Sequence, residues 1–401
     1  MKFDIVIWGA TSFVGVLVSE YLVNHYSNNY KIAIAGRSKS KLARLKSRLN
    51  TQDIDVLVGD ANDDQFLDVM VKQTKLVIST VGPYAIYGEP LVKACVENGI
   101  DYCDLTGEPQ WIWQMLTNYE ERAKQTGARI LHCCGFDSIP SDLGVFQIQQ
   151  LAQQEWGEYC QQIHYRFKAS KGGFSGGTVA SMLNAIKQIT NDKSKARLLK
   201  TPYALIPIKS NDMPYQQAVK SLEKDSESGH YLAPFIMASI NTKVVHRTNY
   251  LLGFPWAKSF LYDEAMQLES GFKGWWKGFI LVSGLALFGL SASFTWSRNF
   301  LEKYMLPKPG EGPSDEMIKN GYFKVELIGK SLEGKTLNLS VTGQGDPGYG
   351  STCKMISETA LLLLATNKDK TGVGFLTPAS ALGSDLVNRL EKHADVKFNK
   401  V

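Results

Sequence analysis

The chain has 401 residues, of which 44% are hydrophobic and 21% are charged, and its formal net charge is +5. This length exceeds what one hydrophobic core usually supports, so we expect two domains of ordinary globular composition. The positive charge is spread along the chain without a dense basic block, which excludes an arm that binds nucleic acid.

The first predicted element is a strand, a glycine turn and a helix in the stretch KFDIVIWGATSFVGVLVSEYLVNHY, residues 2–26. The spacing Gly9-x-x-Ser12-x-x-Gly15 fits a turn that binds a phosphate, because glycine permits close backbone approach and a helix N-terminus favours an anion. For this motif taken alone, a turn without a ligand is the alternative. We expect cofactor contacts from the whole turn: Gly9, Ala10, Thr11, Ser12, Phe13, Val14 and Gly15.

The second predicted strand, within KIAIAG (31–36), ends where dinucleotide-binding folds select between NAD and NADP. An acidic residue there would hold the ribose 2′-hydroxyl, whereas Arg37, followed by Ser38, Lys39 and Lys41, suits a 2′-phosphate. A solvated basic face is the alternative, although positive charge at a helix N-terminus is unfavourable without an anion. The sequence therefore predicts NADP(H), held by Arg37, Ser38 and Lys41.

Four further strands, each followed by a turn and a helix, predict an α/β fold with a Rossmann-type doubly wound parallel sheet. They lie in the stretches DVLVGD, KLVIST, DYCDL and RILHCC. Ligands bind beyond the carboxyl ends of such strands, so the turns after the fourth and fifth strands should contact the cofactor. The predicted contacts there are Val81, Gly82, Pro83, Thr106 and Gly107.

Side chains in the same turns are candidates for proton transfer. Tyr84 and Tyr87 have the reach and the pKa for a general acid or a donor to an enolate, with aromatic packing as the alternative. Asp137, after the sixth strand, is the third catalytic candidate. A helix cap is the other interpretation of Asp137, and we favour a cap there as well as for Asp104 and Glu108.

Beyond residue 156 longer alternating strands predict an antiparallel α+β domain inserted into the first. The stretches 162–170 and 238–250 are interpreted as strands, and 322–331 with 335–343 as a hairpin. A helix from 349 to 365, a short strand and an amphipathic helix then return to the first domain. The predicted domains are 1–155 for the cofactor, 156–345 for the substrate and 346–401 for the returning segment.

A glycine-rich loop, SKGGFSGGTVASML (170–183), leads into a helix of the second domain. Such a loop can hold a phosphopantetheine or carboxylate group, and a hinge or lid is the alternative. The predicted substrate contacts are Gly173, Ser175, Gly176, Gly177 and Thr178.

Residues 278–297 are uncharged and follow two tryptophans, Trp275 and Trp276. Their length is close to bilayer thickness, but both flanks are basic and read as one domain, which disfavours a spanning helix. We favour a surface formed by 275–298 that contacts lipid or shelters a long acyl substrate over a plain buried helix.

Six cysteines have no C-x-x-C pair or framework spacing, and the histidines show no metal-ligand spacing. We therefore expect a reduced cytoplasmic protein without a signal peptide or a metal, and leave open a peripheral contact with a membrane. A homodimer is also left open.

The motifs GATSFVG, AGRS, GPYAIYGE, YCDLTGE, HCCGFDSIPSDLG and SGGTVAS resemble those of the saccharopine-dehydrogenase-like oxidoreductases. They resemble most the branch that contains the trans-acting enoyl reductases of glycolipid assembly, in order along nearly the whole chain. The resemblance implies an NADP-dependent reductase with an inserted substrate domain. Ser12 departs from it, because a glycine is common at that position.

We expect NADPH-dependent reduction of a hydrophobic acyl or polyketide-type substrate, free or bound to a carrier, with enoyl reduction as the leading reaction. A saccharopine-like substrate is the first alternative, but it would need clustered arginines, and those of the second domain are scattered. A membrane-associated NADP-binding protein without turnover is the second. The only Tyr-x-x-x-Lys match, 304–308, contains a proline outside the first domain, which excludes a short-chain dehydrogenase.

Overall fold

Two seven-stranded sheets organise the chain, whose computed structural model describes residues 1–49, 51, 54–172, 198–294 and 312–401. The strands of the first sheet are β1 (Phe3–Trp8), β2 (Ile32–Gly36), β3 (Asp55–Val58), β4 (Thr74–Ser79), β5 (Asp101–Asp104), β6 (Arg129–Leu131) and β13 (Gly374–Leu376). Their order is β13-β6-β5-β4-β1-β2-β3, and every pair is parallel. The predicted fold class is therefore confirmed.

Helices cover both faces of this sheet. They are α1 (Phe13–Tyr26), α2 (Lys39–Arg48), α3 (Asp64–Val71), α4 (Tyr84–Tyr87), α5 (Glu89–Glu97), α6 (Pro109–Thr126) and α7 (Ile139–Trp156). Side chains of β1 alternate between two cores, since Ile5 and Ile7 join one and Val6 and Trp8 the other. This double burial explains why the strand is apolar throughout.

The second sheet is mixed. Its strands are β7 (Gln162–Lys171), β8 (Glu223–Lys224), β9 (His230–Pro234), β10 (Leu261–Ser270), β11 (Tyr322–Lys330), β12 (Thr336–Gln344) and β14 (Val396–Lys400). Their order is β14-β12-β11-β7-β10-β9-β8. The predicted hairpin is present as β11 and β12, but β7 and β10 pair in parallel, so the sheet is not purely antiparallel as expected.

The remaining helices are α8 (Ala238–Leu251), α9 (Gly271–Ser293), α10 (Asp315–Asn320), α11 (Thr352–Ala365), α12 (Lys368–Thr371) and α13 (Pro378–His393). The predicted strand at 238–250 is wrong, because this stretch forms α8. The helix is buried on almost every side, and Asn241, Lys243 and Thr248 are each at most 2% exposed. The sequence of α8 shows no clear helical period, because polar residues of this helix lie inside the core.

The returning segment adds one strand to each sheet. As expected, β13 extends the first sheet beside β6, and α11 packs close to α1. The last strand, β14, instead pairs with β12 at the edge of the second sheet, so the tail does not pack on the first domain alone. The domain boundaries at 155 and 345 stay predictions.

Candidate active site

The turn between β1 and α1 leaves no room for larger side chains at its two glycines. Gly9 has φ +80°, and a Cβ added there would overlap Val81 of the turn after β4. A Cβ on Gly15 would overlap the Gly9 carbonyl and lie 2.9 Å from the Ala10 Cα. Both glycines are therefore required by the packing of the turn itself, which brings the start of α1 close to β1 and to the turn after β4, as in turns that bind a pyrophosphate.

Ser12 fits this turn because its hydroxyl points back into the protein. Its Oγ accepts from the Gly15 amide at 2.9 Å and lies 2.9 Å from the Thr80 Oγ1, which donates to the Gly9 carbonyl at 3.0 Å. The first intrahelical bond runs from Val16 to the Ser12 carbonyl. The amides of residues 13 and 14 precede that bond and face outward for an anion. We call the turn from Gly9 to Gly15 and the Val-Gly-Pro turn (81–83) the cradle. Thr80 lies between these turns and belongs to the cradle, and it was not predicted from the sequence.

Arg37 stands where the 2′-phosphate was predicted. It is exposed directly after β2, and it forms no ion pair with any residue in the described ranges. Ser38 caps α2 by accepting from the Lys41 amide at 3.4 Å, so these two residues shape the helix start. An exposed guanidinium at this strand end, with no acid beside it, fits the extra phosphate of NADP.

Glu108 ties two turns of the carboxyl edge together. Its carboxylate accepts from the Tyr84 amide at 2.9 Å and the Ala85 amide at 3.1 Å, so it caps α4. The prediction that Glu108 caps the helix that follows it is wrong, because its side chain makes no capping bond to α6. The amides it satisfies are 23 and 24 residues away in sequence, a contact that no local pattern reveals.

Asp104 locks the next turn in a similar way. Its Oδ1 accepts from the Thr106 amide at 3.0 Å, and its Oδ2 lies 2.7 Å from Nδ1 of the buried His132. The Thr106 hydroxyl accepts from the Glu108 amide at 3.2 Å and is 1% exposed. The Thr106 carbonyl also accepts from the Cys133 thiol at 3.0 Å, so the polar groups of Thr106 are satisfied within the fold, and the structure argues against the predicted cofactor contact there. Gly107 is partly open, and a Cβ added to it would lie 3.5 Å from Met237.

The structure argues against one catalytic candidate. Tyr84 is 6% exposed, its hydroxyl donates to the Ser79 carbonyl at 3.1 Å, and the Leu105 amide donates to it at 3.2 Å. Burial raises the pKa of Tyr84 well above its usual range. Its ring packs 5.4 Å from that of Trp111. The packing alternative thus describes Tyr84, because its hydroxyl already has partners inside the fold and does not face a substrate.

The other two candidates keep their polar atoms available. Tyr87 and Asp137 are both half-buried, and neither side chain hydrogen-bonds to any residue that the structure describes. Ser138, not Asp137, is the cap residue of α7, and it forms no side-chain cap bond. Burial raises the pKa of the Asp137 carboxyl to about 6. An unpartnered carboxyl with a raised pKa is a suitable proton donor.

A buried polar network joins the start of α7 to the second sheet. Asn241 accepts from Ser138 at 2.8 Å and donates to Ser141 at 3.0 Å and Glu264 at 3.1 Å. The Tyr262 hydroxyl donates to Glu264 at 2.6 Å, and burial raises the pKa of Glu264 to about 7. This network fixes the turn that carries Asp137 against the second sheet.

Apolar side chains of β7 and of the loop after β9 form a cluster that reaches the Gly107 turn through Met237. Phe167 and Phe235 stack with centroids 5.1 Å apart, and Phe235 also stacks on Tyr165. Met237 follows directly and contacts the Gly107 turn. These residues form an apolar wall that was not predicted from the sequence, because it joins β7 to residues about 70 positions further along the chain.

The remaining predicted residues divide into two groups. Val81 packs under Gly9, Gly82 is exposed, and a cis peptide precedes Pro83, all within the cradle side of the site. The predicted substrate contacts Gly173, Ser175, Gly176, Gly177 and Thr178 lie outside the described residues.

Removal of the Glu108 carboxylate should destabilise the site. We expect Glu108→Ala to lower the free energy of unfolding by ~2 kcal/mol, because two amides then lose a charged acceptor in a largely buried turn. Denaturant titration measures this. Glu121→Ala on the exposed side of α6 is the matched control and should change stability by less than about 0.5 kcal/mol. An equal effect of both substitutions would contradict the proposed tie between the turns.

Known oxidoreductases are similar to this chain in sequence and in fold. Residues 5–131 match the family model of the saccharopine dehydrogenase NADP-binding domain. A putative trans-acting enoyl reductase of Mycobacterium tuberculosis is 37% identical, over 97% of this chain and 95% of that protein. A trans-acting enoyl reductase of Mycobacterium ulcerans is 33% identical, over 97% and 96%. Apo saccharopine dehydrogenase (L-Glu forming) from Saccharomyces cerevisiae shares the fold, with a TM-score of 0.55 and 14% identity over the whole of both chains.

Proposed function

The chain belongs to the saccharopine-dehydrogenase-like oxidoreductases, in the branch of the trans-acting enoyl reductases, and from this we propose that it reduces the carbon–carbon double bond of a hydrophobic acyl or polyketide-type substrate. That the chain is an NADP-dependent oxidoreductase follows from its family. The identity of the substrate, and any role in lipid or glycolipid metabolism, are the proposal.

The turn from Gly9 to Gly15 would hold the pyrophosphate of the cofactor, and Arg37 would hold its 2′-phosphate. When bound, NADPH supplies the hydride that is added to the β carbon of the enoyl group. The turns fixed by Glu108 and Asp104 follow β4 and β5, at the edge of the sheet where this fold binds its ligands.

Two side chains of this site can complete the reduction. As the β carbon gains the hydride, the electrons of the double bond move toward the carbonyl oxygen, where the Tyr87 hydroxyl donates a hydrogen bond. Asp137 then gives its proton to the α carbon, which yields the saturated acyl group. Because Asp137 is half-buried, solvent can return a proton to it after each turnover.

We infer the substrate class from the ion pairs and hydrogen bonds of the arginines in the second domain. Among the described residues of the second domain, Arg166 pairs with Asp263, and Arg247 donates to Glu120 and to the Leu205 carbonyl. Neither is available for the carboxylates of an amino-acid substrate. The wall of stacked aromatic rings that reaches the Gly107 turn supports an apolar substrate instead.

The test is a comparison of substrates with NADPH in excess. We expect the protein to oxidise NADPH with a long-chain trans-2-enoyl pantetheine thioester, and mass spectrometry should show a saturated product heavier by two hydrogens. Oxidation only with a pair of amino acid and 2-oxo acid would favour the saccharopine-like alternative. NADPH binding without turnover of either class would favour the non-catalytic alternative, and each of these results would overturn the proposal.

A further inference from the structure

The helix α9 exposes a continuous apolar face. Seven of its large side chains and the one that follows it are between 37% and 76% exposed: Phe272, Trp275, Trp276, Phe279, Ile280, Leu287, Leu290 and Phe294. At 100° per residue these positions fall within an arc of about 140° on one side of the helix. Isolated apolar residues on a surface need no explanation, but a contiguous face of this size marks an interaction surface.

The opposite side of α9 is held by the second sheet. Gly274 lies against the backbone of Glu269, and Gly278 lies against Leu222 and Leu268, so closely that a Cβ at either glycine would overlap these neighbours. The helix contacts both β9 and β10. It is thus apolar on both sides, with one side packed on protein. Within the described part of the chain, α9 is the helix that is long and apolar enough to cross a membrane. Of its most apolar stretch, 11% is buried.

The charges and tryptophans of α9 favour lipid as the occupant of its outer face. Lys273 and Lys277 are exposed at the same end as Trp275 and Trp276, and no charge follows from 278 to the end of the helix. Lys277 pairs with Glu269, but both are 59% exposed, so this pair contributes little and can exchange for another anion. Tryptophan and lysine beside an otherwise apolar face are typical of helices that lie at a membrane surface.

We propose that α9 lies in the surface of a bilayer that contains anionic lipids, with its outer face in the acyl region. Its first turns are fixed along the second sheet, which disfavours an orientation across the bilayer. The two lysines contact the headgroups, and the tryptophan rings lie at the boundary between headgroups and acyl chains.

This position has a consequence for substrate access, which rests on the proposed function. In β10 the side chains of Leu268, Met266 and Glu264 alternate onto one face, and Met266 is paired in register with Phe167. That face begins under α9, at Gly278, and continues to the wall beside the Gly107 turn. Leu268 and Met266 therefore place the base of α9 and the apolar wall on one face of the second sheet, so a substrate taken from the bilayer arrives on the face that carries the proposed site.

Vesicle sedimentation tests the docking surface. We expect the protein to co-sediment with phosphatidylcholine vesicles that contain phosphatidylglycerol, and less so as salt is raised. The double variant Leu287→Glu/Leu290→Glu should reduce partitioning at least about tenfold, because two charges then enter the acyl region. The control Val69→Glu/Leu332→Glu makes the same changes at exposed positions outside α9 and should bind as the wild type does.

NADPH binding separates this test from the proposed function. All variants should bind NADPH equally, because α9 lies outside the cradle, and vesicle binding can hold even where enoyl reduction fails.

Quenching of tryptophan fluorescence by brominated lipid should disappear in Trp275→Phe/Trp276→Phe. A wild-type protein that ignores vesicles, or forms a dimer in solution that Leu287→Glu/Leu290→Glu dissociates, would overturn the proposal. Equal binding to vesicles without phosphatidylglycerol would overturn the role of the lysines.

Discussion

Replacement of Arg37 by aspartate should weaken NADPH binding about 100-fold and NADH binding less than about threefold, because a charge-assisted contact to the 2′-phosphate becomes a repulsion. Arg37 is exposed and forms no ion pair with the described residues, so its replacement breaks no ion pair among them. The two nucleotides differ only in the phosphate that this side chain is predicted to hold. Their comparison therefore isolates one interaction.

Titration with either nucleotide, followed by nicotinamide fluorescence, measures the change. Arg44→Asp, further along α2 and also exposed, makes the same change in net charge and should weaken NADPH less than about threefold at physiological salt. Equal losses for NADPH and NADH in Arg37→Asp would show that Arg37 does not hold the phosphate. Equal losses of NADPH affinity in Arg37→Asp and Arg44→Asp would show that the effect comes from the change in net charge.

Replacement of Asp137 by asparagine should lower kcat about 100-fold to 1,000-fold, because the amide cannot give up a proton to the α carbon of the substrate. The KM for NADPH should change little, since Asp137 lies outside the cradle. Steady-state kinetics with the enoyl thioester measures both constants. Asp369→Asn, at an exposed position on α12, is the matched control and should leave kcat unchanged.

The pH profile gives this prediction a second readout. A general acid must be protonated, and burial raises the pKa of Asp137 to about 6. The rate of the wild type should therefore be highest below that pH and fall about tenfold per unit above it. Asp137→Asn should lose this alkaline limb. A variant with full activity and the wild-type profile would remove Asp137 from the mechanism.

Local patterns were sufficient for the cofactor half of the molecule. The glycines at 9 and 15 are required by the contacts of the turn itself, and Arg37 follows directly from the end of a strand whose apolar run is easy to see. Six strands and their helices follow from alternation between apolar runs and polar turns. These features depend on neighbours in sequence, so sequence alone could predict them.

Features that depend on distant partners could not be predicted. The direction of the Tyr84 hydroxyl is set by Ser79 and by the backbone of Leu105, and nothing in the motif shows that it points inward. Glu108 caps a helix that precedes it by more than twenty residues. The strand predicted at α8 is wrong because the helix packs between β10 on one side and α6, α7 and α13 on the other, so its polar residues are buried rather than facing water.

The placement of β13 and β14 has a consequence for how the chain is made. The first 131 residues supply six of the seven strands of the parallel sheet, but the seventh, β13, begins only at Gly374. The edge of the second sheet, β14, ends at Lys400. Almost the entire cofactor half is therefore synthesised long before either sheet has all its strands. The first sheet lacks β13 and the second lacks β14 until the segment from 374 to 400 has been translated, so this one segment completes both sheets.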